Sequence, residues 1–112
     1  VSATSAVIGP YVTGEKPPTL SYTFLDSSGA AIDLTGYTAK FNIKERWGAA
    51  TQYSATVATP ASGIVTYAWT GAEFLTPGHY EAEFWVGNTT LRYDSIRLKF
   101  DVQQAVGPVP AI

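Results

Sequence analysis

Residues 39–44 read Ala-Lys-Phe-Asn-Ile-Lys, apolar and polar side chains in strict alternation. A period of two points to a strand with one face buried and the other in water. The same alternation recurs where Leu20, Tyr22 and Phe24 interleave with Ser21, Thr23 and Leu25, and where Tyr80, Ala82, Phe84 and Val86 oppose His79, Glu81, Glu83 and Trp85. It returns near the end, with Ile96, Leu98, Phe100 and Val102 against Arg97, Lys99 and Asp101, and Ser95 marks a bend before them. Further strands are expected over 52–57 and 64–69. No ten-residue stretch carries a 3.6-residue period, so helices are not expected beyond one turn over 71–75.

Turn signals separate these runs. Asp26-Ser27-Ser28-Gly29 combines small polar residues that bond their own backbone with a glycine that accepts positive φ, and Glu45-Arg46-Trp47-Gly48, Thr59-Pro60-Ala61-Ser62-Gly63 and Gly87-Asn88-Thr89-Thr90 also read as turns. Strands recurring at this spacing predict an all-β, two-sheet sandwich of about seven strands. An aromatic share of 13% suits pleated, half-buried surfaces. The flanks, 1–13 and 104–112, are rich in small residues and proline and are expected to be arms or linkers around a sandwich over 14–103.

Charge and composition exclude several functions. Seven Lys and Arg against nine Asp and Glu leave a net charge of −2, which gives no basic field for a nucleic-acid backbone. The absence of cysteine removes disulfides and thiolate metal sites. No apolar run approaches the ~20 residues of a membrane helix, so no membrane insertion is expected.

The most enzyme-like feature is the row His79, Glu81 and Glu83, whose carboxylates would stand roughly 6–7 Å apart on one strand face. Paired acids act on glycosides only from a cleft that drives their pKa values apart, whereas this row alternates as a solvated face does. No catalytic, cofactor or metal site is assigned. Asp26-Ser27-Ser28-Gly29 reads as a turn rather than a calcium loop, since that ion takes about six or more oxygens. Trp47 beside Arg46 in a predicted hairpin turn, and Trp85 on a polar face, are the candidate contacts for a protein partner or a glycan; the alternative is that each ring covers its own loop.

Several motifs together resemble a known family. Gly14-Glu15-Lys16-Pro17-Pro18, Asp33-Leu34-Thr35-Gly36, then Gly63-x-Val65-x-Tyr67-x-Trp69 and Pro77-Gly78-x-Tyr80-x-x-Glu83-Phe84 are similar to the immunoglobulin-like domain near the start of phage baseplate upper proteins and in other phage tail and virion proteins. This chain departs from the family pattern at Gly14-Glu15, where Gly-Asp is usual, and at Glu73-Phe74, where Asp-Thr is usual. The resemblance implies an immunoglobulin-like β-sandwich of about seven antiparallel strands, resident in the virion, without enzymatic activity or cofactor. Its partners would be other virion proteins or copies of itself, with a host-surface glycan as the alternative.

The motifs also have local reasons. Asp33 is placed to accept N–H groups of Thr35 or Gly36, Gly36 to supply positive φ, and Leu34 to plug the core. Phe41, Tyr67, Trp69, Tyr80 and Phe84 are the expected core. Pro77-Gly78 suits the centre of a type II turn that aims Tyr80 inward.

Overall fold

The computed structural model describes residues 5–95 and 97–107, with side chains from Val7 onward. The inward position expected for Ile96, and the outer ends of both arms, lie outside these residues. Nine strands are present among them: β1 (Ser5–Val7), β2 (Tyr11–Val12), β3 (Leu20–Thr23), β4 (Thr38–Glu45), β5 (Thr51–Thr59), β6 (Ile64–Tyr67), β7 (Gly78–Gly87), β8 (Arg92–Asp94) and β9 (Arg97–Gln103). One 3₁₀ turn, Pro60–Ser62, links β5 to β6.

The strand order is β1-β9-β7-β4-β5-β6-β3, with β2 also on β9 and β8 also on β7. Strand β5 belongs to both layers. Its first half pairs with β4 from Thr51 to Ala55, and its second half pairs with β6, with a register slip between Val57 and Thr59. Such an irregularity bends a strand and raises its twist, which lets one continuous sheet fold over as a sandwich.

The strands number nine rather than seven because the N-terminal stretch contributes two. Both run parallel to β9, Ser5 opposite Arg97 and Tyr11 opposite Val102, whereas the other ladders are antiparallel. Neither segment alternates, so neither had a local strand signal. The ring of Tyr11 holds β2 in place, stacked on Phe74 at 5.3 Å and edge-on to Phe100 at 5.3 Å.

Two local expectations change. Residues 71–75 form bends, not a helical turn, because Gly71 takes φ +93° and Glu73 turns its carboxylate back onto the backbone of Thr70 and Gly71. Gly78 is already the first residue of β7, opposite Val102, so the turn precedes it. Tyr80 does point inward, anchored by its hydroxyl donating to the Thr76 carbonyl at 2.6 Å.

The apolar faces of both layers meet over Phe41, Tyr67, Trp69, Tyr80 and Phe84, all buried. Phe41 stacks on Tyr67 with centroids 4.4 Å apart and tilts against Phe84 at 4.9 Å, while Tyr80 lies parallel to Phe100 at 5.5 Å. Offset and edge-on rings of this kind add about 0.5–1.5 kcal/mol per pair beyond their burial. Ser95 separates β8 from β9: its N–H donates to the Phe84 carbonyl, and its hydroxyl oxygen accepts the Phe84 N–H at 2.8 Å.

Candidate interaction surface

The outward face of β7 carries the acid row. His79 stands opposite Asp101, with Nδ1 and Oδ1 2.5 Å apart, and both side chains are well exposed. Glu81 lies between Lys44 and Lys99 on the flanking strands, with Arg97 3.7 Å away. Glu83 accepts from Asn42 at 3.3 Å and from the indole N–H of Trp85. Each of the three side chains thus has a partner on an open sheet, a charged group beside Glu81 and neutral donors at Glu83. Exposed pairs of this kind contribute about 0–1 kcal/mol and do not create the unequal environments that acid-base catalysis needs. Among the described residues no group of three His, Asp or Glu side chains is placed to hold a metal.

The candidate tryptophans separate in space. Trp85 is half-buried opposite Lys40, its polar edge committed to Glu83. Trp47 follows the end of β4, with Arg46 poised over its ring at 5.1 Å from the centroid. The run from Lys40 to Glu45 alone spans about 17 Å at the rise of a strand. One sugar platform therefore does not include both rings. Trp47 is 85% exposed, while the backbone N–H of Arg46 donates to the His79 carbonyl at 2.8 Å and fixes the base of the hairpin.

The Asp33 corner is built from short-range bonds. Oδ1 of Asp33 accepts the Thr35 hydroxyl at 2.6 Å and the Thr35 N–H at 3.0 Å, which holds this carboxyl below its usual range. Leu34 is completely enclosed and its N–H donates to the Pro60 carbonyl at 2.8 Å, joining the corner to the 3₁₀ turn. Gly36 closes it at φ +82°. Asp26 acts similarly, its Oδ1 accepting the N–H groups of Ser28 and Ala30.

Sequence reasoning passed over Glu73 except as a departure from a family pattern. It is only 8% exposed, yet its carboxylate accepts from the Tyr67 hydroxyl, both donors of Thr70 and the N–H of Gly71. Burial, then this bond to Glu73, push the Tyr67 phenol well up. A lone acid between Ala72 and Phe74 was the available signal. The site is structural: four donors satisfy one acid under the aromatic core. Trp69, by contrast, buries its indole N–H without an acceptor among the described residues, so its ring acts as filling.

Comparison with solved structures finds a crystal structure of CopC from Methylosinus trichosporium OB3b, at TM-score 0.52 and 15% identity, covering 89% of each chain. At that identity the likeness is one of fold alone. No curated protein matches the sequence. A family model described as the BppU N-terminal domain, that of the phage baseplate upper protein, matches residues 25–108. With this match across most of a β-sandwich whose charged rows are paired across its face, the chain belongs to the BppU N-terminal domain family, a family of phage baseplate structural domains.

Proposed function

We propose that this domain is a building block of a phage tail or baseplate and acts in assembly through contacts with other virion proteins. The family match over residues 25–108 carries this reading. The interior supports it, being occupied by interlocked aromatic rings. The outward row of β7 supports it too, since His79 and Glu81 are paired with Asp101 and Arg97 of β9 across an open face.

Contact surfaces would come from strand edges and hairpin ends. In this reading residues 14–103 are the sandwich, and 1–13 and 104–112 flank it. Within the first flank, Ser5–Val7 and Tyr11–Val12 lie along the protein's own β9, which covers one edge. Strand β3, four residues long, ends the sheet order on the other side among the described residues, and terminal strands of a sheet are where main-chain pairing with a neighbour occurs. No enzymatic role is assigned. The glycan alternative lacks a supporting observation, because Trp47 and Trp85 do not converge.

Purified particles test the proposal. Peptides of this chain are expected in virions at a fixed copy number relative to other tail proteins, measured by quantitative mass spectrometry. Its absence from washed particles, or a monomer whose tryptophan fluorescence titrates with a host sugar, would overturn the reading.

A further inference from the structure

The layer formed by β3, β6 and the second half of β5 carries no charge. No Asp, Glu, Lys or Arg occurs between Lys16 and Asp26 or between Arg46 and Glu73, and β3, β5 and β6 fall inside these two gaps. Strands β4, β7, β8 and β9 each carry charged side chains. The outward side of the uncharged layer holds a rank of small hydroxyls, with Ser21 opposite Thr66 and Thr66 opposite Thr56, about 4.8 Å from strand to strand. Depletion of charge is what marks the centre of a protein interface.

Strand β3 ends this layer among the described residues. The Phe24 N–H donates to the Gly63 carbonyl, and main-chain direction alternates along a strand, so Tyr22 and Leu20 also bond β6. The N–H and C=O groups of Ser21 and Thr23 therefore face away from it. Of the usual protections of an edge, charge, proline and a bulge are all absent within β3. Its inward residues Leu20 and Tyr22 pack against the core yet are only half-buried, which leaves apolar area for a further strand to cover. Strand β1, at the other end of the order, offers three residues beside the charged β9.

We propose that β3 pairs antiparallel with β3 of a second copy across a two-fold axis at Tyr22, joining the two uncharged layers into one continuous sheet. This deepens the building-block reading, on which its role in assembly rests. Two-fold symmetry brings a surface against itself, so a charge near the axis meets its like, and the layer without charge is the one that self-association tolerates. A charged partner would instead lose water against a face that offers no counter-charge. In this register Tyr22 meets its own counterpart, and Ser21 of each copy stands opposite Thr23 of the other. Each of those pairs exchanges two main-chain hydrogen bonds.

Sedimentation equilibrium of the full chain, up to sub-millimolar concentration, tests the pairing. The wild type is expected to form a dimer, with amide hydrogen exchange at Ser21 and Thr23 slowing as the dimer fills. Ser21→Lys combined with Thr23→Lys sets like charges opposite each other and should weaken the dimer by about tenfold or more, as should Ser21→Glu with Thr23→Glu. Mixing the two variants should restore a dimer, now heteromeric, because each lysine then faces a glutamate. Both positions are exposed, so unchanged melting separates lost pairing from lost folding. A monomer throughout, assembly beyond two copies, a dimer indifferent to both variants, association without protection at Ser21 and Thr23, or no recovery in the mixture would overturn the pair. Absence of the chain from washed virions while the dimer forms as described would overturn the building-block reading and leave the pairing standing.

Discussion

The hydroxyl of Tyr67 donates to Oε2 of Glu73 at 2.5 Å, tying the end of β6 to the loop that leads into β7. Six residues apart in sequence, the two side chains meet because the loop wraps around the acid: Thr70 and Gly71 present their N–H groups to the same carboxylate at 2.8 and 3.0 Å. A buried acid is tolerated only when its lone pairs are filled, and here they are.

That arrangement predicts a pH dependence. Burial by itself raises the Glu73 pKa, but bonds from Tyr67 and Thr70 outweigh it and hold the folded value below the ordinary 4.5. The unfolded chain therefore binds the proton more readily. Stability from Glu73 is fully present above about pH 4.5 and is lost as pH falls through the lower folded value. Glu73→Gln should cost about 1–3 kcal/mol at pH 7 and less in acid, where the wild type loses the same contribution. Urea titrations at pH 7 and pH 3 measure this; Asp26 and Asp33, also held low, cancel in the difference. An equal deficit at both pH values would remove Glu73 from the account.

Gly63 and Gly36 form a matched pair of tests. Both have positive φ, +68° and +82°. A Cβ on Gly63 would stand 2.7 Å from the Phe24 carbonyl oxygen and 2.8 Å from that of Ile32, whereas one on Gly36 meets nothing within 4 Å. Gly36→Ala should therefore cost only the left-handed backbone term, about 1–2 kcal/mol, and Gly63→Ala clearly more. At roughly 4–8 °C per kcal/mol for a domain near this size, calorimetry resolves the two. Equal melting points would show that the close approach at Gly63 relaxes freely.

Tryptophan quenching reports the surface directly. Trp47 is exposed, Trp85 half-buried, and Trp69 enclosed by Tyr11, Phe41, Phe74 and Phe100. Trp47→Phe should remove the red-shifted, acrylamide-accessible part of the emission and leave stability within about 0.5 kcal/mol. Trp69→Phe should remove the shielded part. If Trp47→Phe leaves the accessible fraction intact, the hairpin tip is covered in solution.

Although 1–13 flanks the sandwich, the pairing of Ser5–Val7 and Tyr11–Val12 with β9 predicts that it adds to the stability of the fold. Tyr11 touches Trp69, Phe74 and Phe100, and Thr13 Oγ1 accepts the N–H of Ala105 at 3.1 Å. Tyr11→Ala should destabilise by about 2–4 kcal/mol, and removal of residues 1–13 by at least as much. Chemical denaturation checks both. A truncated chain with an unchanged midpoint would mean that this segment only rests on β9.

Much of the architecture is readable locally. The alternation through Phe41 and Ile43, or Tyr80 and Phe84, assigns a face to each residue because successive side chains on a strand point to opposite sides. The Asp33 corner is readable for the same reason of range: its donors lie two residues away and Gly36 three. Glu73 was not readable, since nothing near it in sequence announces that the Tyr67 hydroxyl points at it.

From the sequence alone came the period of each strand, hence which rings turn inward, and the turn chemistry at Asp26, Asp33 and Asn88. Only the tertiary structure decided that Tyr11 joins the core through a parallel pairing with β9, that β5 serves two layers, and that Trp47 and Trp85 stand apart. The physical reason is one of distance. Dihedral preference and side-chain period act over a few residues, whereas edges, ion pairs and shared surfaces depend on where strands as remote as Tyr11 and Val102 come to lie.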